Sequence, residues 1–324
     1  MTAADNHRRR GMRNPSRRRM LQIAAGFATI GLESATPTAR RWHWSGSALG
    51  AVAAIELCDV DWAHANRLIQ FAVGEINRLE AIFSLQRQDS ALSRLNRDGH
   101  LVGPPLELTA VFETAATLSQ LSRGAFDVTI QPLWRLHADA AAAGFGLDGR
   151  LVERTLARVG WERVDYGRRS IAFGRPGMAA TLNGIAQGYI TDRIALLCRD
   201  AGLDHVCVDL GEQRVSGGKP PQGPWRIGTP VGNVALGEGA LAVSATYPGL
   251  AGPNLISPSS GLPVTGPRCM VVTAPSAQLA DGASTALAVC APDAAHGLRK
   301  RLAPLGVAVL ERPTSLPDLP PVPS

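Results

Sequence analysis

The stretch at residues 181–193, TLNGIAQGYITDR, constrains the fold of this chain more than any other. Small apolar residues precede it and predict a strand over 178–182, Gly184 and Gly188 then mark a turn, and Gly202 is placed to cap a following helix. That helix is predicted from apolar residues at helical spacing, namely Ile190, Ile194, Leu197 and Ala201. A helix that starts after a glycine turn offers free backbone N–H groups to an anion. The spacing fits neither G-x-G-x-x-G nor the P-loop, and a plain capped turn is the alternative.

The remaining sequence predicts helices and short strands that do not alternate one for one. The segment from Gly124 to Trp134 is expected to be extended or loop-like, and the Ala- and Gly-rich residues 137–149 to form a surface excursion. Helices are predicted over 62–83, from Asp89 or Ser90 onward, and over 109–123, 149–159 and 276–290; strands over 51–57, 162–166, 170–174, 204–210, 239–244 and 268–274. This order favours an α+β fold over a doubly wound sheet.

Positive charge is concentrated in the first 41 residues, which hold nine Arg against Asp5 and Glu33. The chain has 33 basic and 27 acidic residues and a formal charge of +6, so the remaining body carries 24 basic against 25 acidic residues. A body without excess positive charge attracts a phosphate backbone only weakly. We therefore expect no nucleic-acid partner.

The basic leader has the pattern of a twin-arginine export signal. Arginines at 17–19 precede an apolar run of about 13 residues, which is too short to span a bilayer comfortably. We expect residues 1–41 to be an export signal and linker that place the protein in the periplasm, or anchored to the inner membrane and facing the periplasm. A disordered basic tail is the alternative. The proline-rich residues 312–324 are expected to be disordered, which leaves 42–311 as one domain.

Cysteine and histidine usage argues against several classes of site. The five cysteines are odd in number, dispersed and free of any C-x-x-C pair, so we expect core packing rather than a zinc site or a disulfide framework. The seven histidines show no metal-ligand spacing, which disfavours a zinc hydrolase, and no G-x-S-x-G nucleophile elbow occurs.

The predicted helix over 276–290 carries polar residues that could bind a metal ion. Its apolar stripe consists of Leu279, Ala283, Leu287 and Cys290. Asp281 and Thr285 lie one turn apart on a different face, with Ser284 beside them. A carboxylate and a hydroxyl at this spacing provide two hard oxygen ligands of the kind that Mg²⁺ prefers. A solvated helix face is the alternative.

Two other segments are candidates for ligand contact. In Gly124-Ala125-Phe126-Asp127 the phenylalanine could stack on a flat ring and the aspartate could hold its polar edge. A helix cap followed by an ordinary strand explains the same residues. The segment NLISPSSGLP at 254–263 is predicted to be a turn-rich loop.

Taken in order, four segments of this chain resemble motifs of the ApbE family, the FAD:protein FMN transferases. They are EINRLEAIFSLQRQDSALSRLN, SRGAFDVTIQPLW, GIAQGYITDR and VVTAPSAQLADGASTAL, and the resemblance covers roughly residues 45–295. It implies a single α+β domain related to T-folds that binds FAD and Mg²⁺. It also implies transfer of FMN from FAD to a Thr or Ser hydroxyl of an acceptor redox protein, with release of AMP.

The same resemblance assigns roles to individual residues. Asp281 and Thr285 match metal-ligand positions that serve catalysis, with Ser284 beside them and backbone oxygens near Gly184 and Ala186 as further ligands. The flavin-contact positions are matched by Leu49, Leu85, Ala125, Phe126, Asp127, Thr181, Gln187 and Ile256.

This sequence departs from the family pattern at several of its motifs. Gln187 stands where the family usually has Lys, and Asn254 where it has a His implicated in catalysis; Asn cannot act as a general base. The family's L-G-G-D/N appears here as Leu210-Gly211-Glu212-Gln213. Three hypotheses follow: an FMN transferase, a non-catalytic FAD-binding protein, and an FAD pyrophosphatase that releases FMN and AMP.

Overall fold

A computed structural model describes residues 40–246 and 253–311 of the chain. Within these residues the helices are α1 (Trp62–Phe83), α2 (Ala91–Asp98), α3 (Leu106–Ser122), α4 (Gln131–Ala143), α5 (Gly149–Leu156), α6 (Ala186–Asp200), α7 (Ala277–Val289) and α8 (Pro292–Leu302). The strands are β1 (Arg41–Ala48), β2 (Ala51–Cys58), β3 (His100–Val102), β4 (Val164–Tyr166), β5 (Ser170–Phe173), β6 (Val206–Asp209), β7 (Gln213–Ser216), β8 (Trp225–Thr229), β9 (Gly232–Leu236), β10 (Gly239–Ala245), β11 (Cys269–Ala274) and β12 (Ala308–Leu310). Nearly all of the predicted export signal, and the proline-rich tail, lie outside the described residues.

The main sheet has seven strands in the order β1-β2-β6-β7-β10-β11-β12, and every neighbouring pair is antiparallel. Side chains alternate between the two faces of a strand, so one strand contributes to two cores. On β10, Ala240 and Ala242 pack into the larger core, whereas Leu241 packs into the smaller one.

Helices cover one face of this sheet, and a hairpin covers part of the other. Buried residues of α1, α3, α6 and α7 form the larger core with the helix-facing side chains of the sheet. The β8–β9 hairpin brings Trp225 and Ile227 against Leu241 and Val271 in the smaller core. Two layers of helix and antiparallel sheet confirm the predicted α+β class.

Helix boundaries follow the capping residues in the sequence. Helix α1 spans the predicted 62–83, with Asp61 as its N-cap, and Ser90 and Ser276 cap α2 and α7 as predicted. Gly202 follows α6 with a φ of +81°, a conformation in which a side chain would be strained, and its N–H group donates to the Arg199 carbonyl.

The prediction of a strand over 178–182 is wrong. The N–H and C=O groups of Ala180 bond to the Asn96 side chain at 2.7 and 2.8 Å, and the Thr181 N–H donates to the Val128 carbonyl at 2.8 Å. A side-chain amide and a loop carbonyl thus take the backbone partners that a neighbouring strand would have supplied.

The predicted surface excursion at 137–149 is also wrong in its first half. Residues Gln131–Ala143 form α4, with Pro132 in its first turn and an alanine-rich last turn that ends at Gly144. Proline at the first turn sacrifices no helical hydrogen bond, and alanine has the highest helix propensity. The segment before it, Val128–Ile130, is a short 3-10 helix rather than an extended strand.

The five cysteines are free, and Cys58, Cys198 and Cys290 are buried, as predicted for core residues; Cys207 is half-buried and Cys269 is exposed. None of the helices that the structure describes is both long enough and apolar enough to cross a membrane.

Candidate active site

A cavity of about 600 Å³ lies where the starts of α4 and α6, the end of β10 and helix α7 converge. Its size is in the range of sites for small molecules and cofactors. Nine of the predicted site residues line it: Ala125, Phe126, Asp127, Thr181, Gly184, Gln187, Ile256, Asp281 and Thr285. Further lining residues include Trp134, Asn183, Glu212, Ser244 and Asn254.

Asp281 is the most deeply buried carboxylate of the cavity, with only 3% of its surface exposed. Its Oδ2 accepts a hydrogen bond from the Gly188 N–H group at 3.2 Å. Burial raises the pKa of Asp281 to about 8, against the opposing effect of this bond. The solvated helix face that was the alternative is therefore wrong for Asp281.

Gly188 allows α6 and α7 to approach closely enough for this contact. A Cβ at Gly188 would lie 2.3 Å from the Ala277 carbonyl oxygen, so no side chain fits there. The two helices are fixed together by Asp192 of α6, whose carboxylate accepts from the Ala277 and Gln278 N–H groups at 2.8 and 2.9 Å. Asp192 thereby satisfies the free donors at the start of α7.

The prediction of free N–H groups at the start of α6 is wrong in part. The Ile185 and Ala186 N–H groups donate to the Leu182 carbonyl, and the Gly188 N–H donates to Asp281. The anion that this helix start holds is therefore a carboxylate of the protein itself.

Three hydroxyl groups form a chain that orients Thr285. Ser284 Oγ donates to the Asp281 carbonyl at 2.9 Å, since a carbonyl can only accept. Its one proton is then used, so Ser244 must donate to Ser284 across 2.8 Å, and Thr285 must donate to Ser244 across 3.2 Å. The Thr285 oxygen consequently keeps its lone pairs free beside the cavity, and Ser284 is the buried end of the chain.

Glu212 is a second carboxylate in the cavity wall, in the turn between β6 and β7. It is 8% exposed, and its Oε2 is buried without a hydrogen-bond partner. Burial, followed by the nearby charges of Asp281 and Asp209, raises the pKa of Glu212 well above its ordinary value. Among the described residues, no basic side chain forms an ion pair with Glu212 or Asp281.

Another part of the cavity wall contains Asp127, and both of its carboxylate oxygens accept hydrogen bonds from the protein. Its Oδ1 accepts from the Thr129 N–H and hydroxyl groups at 2.8 and 2.6 Å, and its Oδ2 accepts from the Trp161 N–H at 3.0 Å. Burial nevertheless raises the pKa of Asp127. Asp127 lines the cavity as predicted, but its hydrogen bonds shape the wall.

The aromatic ring available for stacking belongs to Trp134 rather than to Phe126. Phe126 is 4% exposed and packs in the larger core, whereas Trp134 lines the cavity and is 38% exposed. Trp134 lies on α4, and the prediction that residues 124–134 are extended or loop-like could not place it.

The other predicted flavin contacts are divided between the cavity and its surroundings. The Gln187 amide donates to the Leu210 carbonyl at 3.3 Å, and Asn254, in the loop after the undescribed residues 247–252, donates to the Ala245 carbonyl. The predicted residues that are not among those lining the cavity are Leu49, Leu85, Ala186 and Ser284. Leu49 lies in the β1–β2 turn, where its N–H donates to Glu80 at 2.6 Å.

The donors around Asp281 fit a hard divalent cation. Within residues 40–246 and 253–311, no group of three His, Cys, Asp or Glu side chains forms a metal cluster. The available donors are instead two carboxylates and the Thr285 hydroxyl, and such oxygen ligands suit Mg²⁺, which keeps several waters and takes further oxygens from substrate phosphates. The unpartnered Oε2 of Glu212 is the observation in favour of this fit.

Solved structures share this architecture. The flavin transferase ApbE from Vibrio cholerae superposes with a TM-score of 0.71 at 24% identity, covering 84% of this chain and 93% of that one. The flavinyl transferase ApbE from Pseudomonas stutzeri gives a TM-score of 0.73 at 22% identity, covering 85% and 93%. The fold is therefore that of the flavin transferases.

The family model of ApbE matches residues 49–309, and this chain belongs to the ApbE family. A relative in Klebsiella pneumoniae (strain 342), named FAD:protein FMN transferase, is 26% identical over 309 residues, which span 85% of this chain and 87% of that protein. The predicted family and fold are thus confirmed.

Proposed function

We propose that this chain is an FAD:protein FMN transferase that requires Mg²⁺. Its membership of the ApbE family and the name of its relatives support the reaction. The observation that carries the proposal is the pair of buried carboxylates, Asp281 and Glu212, beside the free lone pairs of Thr285 in a cavity of cofactor size.

In this reaction an acceptor hydroxyl oxygen bonds to the phosphorus atom of the FMN half of FAD, and the bond from that phosphorus to the AMP oxygen breaks. AMP leaves with the electron pair of the broken bond, and the hydroxyl proton passes to solvent. Mg²⁺, when bound, would supply positive charge to neutralise the phosphate oxygens. Asp281, Glu212 and Thr285 are the residues that would hold this ion.

The remaining walls position the flavin. Trp134 presents an exposed aromatic face, and Asp127 keeps Ala125 and Phe126 in place through its bonds to Thr129 and Trp161. A rigid apolar wall with few polar groups suits a flat ring, because stacking requires shape more than charge.

The test is incubation of the full chain with FAD, Mg²⁺ and a Thr-bearing exported redox protein from the same host. The expected result is flavin fluorescence on the acceptor in a denaturing gel, equimolar AMP, and loss of both with EDTA. Glu153→Gln, on an exposed face of α5, is the control variant. Tightly bound FAD without AMP would instead identify the non-catalytic binding protein, and FMN and AMP without acceptor would identify the pyrophosphatase.

We also propose that residues 1–41 direct export by the twin-arginine route. The arginines at 17–19 and the weakly apolar run after them support this proposal. Replacement of Arg17 and Arg18 by Lys should keep the protein in the cytoplasm in a fractionation experiment, whereas export of the variant at the normal level would contradict it.

A further inference from the structure

We infer that Glu212 is a direct ligand of the divalent cation in this cavity. This inference deepens the proposed function and rests on its Mg²⁺ requirement. Glu212 stands at the second glycine of the family's L-G-G-D/N motif, so that motif provides no carboxylate at this position.

The described protein compensates the buried Glu212 carboxylate only in part: a hydrogen bond from the Val243 backbone lowers its pKa, but burial outweighs this effect. The Glu212 side chain is more than nine-tenths buried, lines the cavity, and leaves Oε2 without a hydrogen-bond partner. A buried carboxylate is strongly unfavourable in free energy unless opposite charge or hydrogen-bond donors compensate both of its oxygens. Arg214, the basic residue nearest to Glu212 in sequence, pairs with Glu238 and Asp192 instead. A bound cation would supply the missing charge.

The backbone holds Glu212 in the orientation that faces the cavity. Its carbonyl accepts from the Leu210 N–H at 3.2 Å. Gly211 has a φ of +104°, which permits the sharp turn after β6, and a Cβ there would lie 2.8 Å from the Gln187 amide. The side chain is therefore directed by a constrained turn.

Asp281 and Glu212 together make a stronger cation site than either alone. The charge of Asp281 is the second-largest influence, after burial, that disfavours the ionised form of Glu212. Two carboxylates that repel each other across a cavity are both stabilised when a divalent cation binds between them, and affinity for such ions rises with the number of charged ligands.

The experiment is a Mn²⁺ titration of the full chain without flavin or acceptor, with free Mn²⁺ measured by electron paramagnetic resonance. We expect the wild type to bind one ion that Mg²⁺ displaces, and Glu212→Gln and Glu212→Gly to bind at least about tenfold more weakly. Glu153→Gln removes the same charge from an exposed site and should bind as the wild type does.

Thermal unfolding checks that the variants fold and adds a second readout. Without cation, Glu212→Gln should melt at or above the wild-type temperature, because a buried charge is removed, and Mg²⁺ should stabilise it less than the wild type. Wild-type Mn²⁺ affinity in both Glu212 variants, or absence of Mn²⁺ binding by the wild type, would overturn the inference. If the Glu212 variants lose Mn²⁺ binding and the wild type transfers no flavin, the inference is supported and only the proposed function is contradicted.

Discussion

Asp127 and Asp281 both line one cavity, in walls formed by different segments of the chain, and burial raises the pKa of both. Asp127 accepts three hydrogen bonds from its surroundings, whereas Asp281 accepts one and lies near Glu212, whose Oε2 has no hydrogen-bond partner. The comparison teaches that burial and a raised pKa do not by themselves mark a functional carboxylate. What separates the two is whether the protein already satisfies the oxygens, so we expect Asp127 to affect stability and Asp281 to affect chemistry.

The largest effect should come from Asp281→Asn. Loss of one negative ligand should reduce Mg²⁺-dependent flavin transfer at least about a hundredfold, or ~3 kcal/mol, while FAD binding changes less. Initial rates of acceptor fluorescence and FAD binding by fluorescence quenching measure the two quantities. Equal turnover by the variant would remove Asp281 from the metal role.

The next effect is that of Gly188→Ala, which tests how the Asp281 wall is built. The new methyl group would meet the Ala277 carbonyl, so we expect a loss of about 3 kcal/mol in the free energy of unfolding and weaker Mn²⁺ binding. Gly74→Ala in α1 has open space around its Cβ and should raise stability by about 0.5–1 kcal/mol. Urea unfolding compares the pair, and equal stability of the two variants would show that α6 and α7 can separate at little cost.

Asp127→Asn should affect the other wall through stability. The new amide group would face the Trp161 N–H or the Thr129 donors, which costs about 2 kcal/mol of unfolding free energy, while the Mn²⁺ affinity stays unchanged. Asp165→Asn, on an exposed position of β4, is the matched control. If Asp127→Asn abolished Mn²⁺ binding at wild-type stability, the distinction between the two walls would be lost.

The smallest effect is expected from Ser284→Ala. The variant loses the bonds to Ser244 and to the Asp281 carbonyl, at about 1 kcal/mol of stability, and flavin transfer should fall only a few fold. Thr285→Val, by contrast, removes an oxygen beside the cavity and should weaken Mn²⁺ binding. A larger loss of Mn²⁺ affinity in Ser284→Ala than in Thr285→Val would contradict the assignment of Thr285 as the ligand.

Local sequence signals predicted those parts of the fold that local physics determines. Helix α1 was predictable in full because its apolar period and the Asp61 cap agree. Residues 178–182 were mistaken for a strand because their apolar pattern does not reveal that Asn96 takes their backbone hydrogen bonds. Helix α4, and with it Trp134, was missed because Pro132 ends most helices but can begin one.

The candidate site was predictable where residues share an element and not where topology joins them. Asp281 and Thr285 are one turn apart on α7, so their spacing alone brought them together. Glu212 reaches the same cavity only because β7 pairs with β10 and α7 packs on that part of the sheet. A single Glu between two strands does not indicate that it lies near Asp281 in the fold. The only sequence signal was that Glu212 replaces a glycine of the family motif.

The chain of hydroxyl groups from Ser284 to Thr285 has a direction that is set at its buried end. Since the Asp281 carbonyl cannot donate, each hydroxyl along the chain directs its proton toward the next acceptor on the way to this carbonyl, the buried end of the chain. Without Ser284, the Ser244 proton could turn to Thr285, whose own proton would then point into the cavity and repel a cation. Such a change would move no heavy atom and would be visible only to a method that locates hydrogen, such as neutron diffraction.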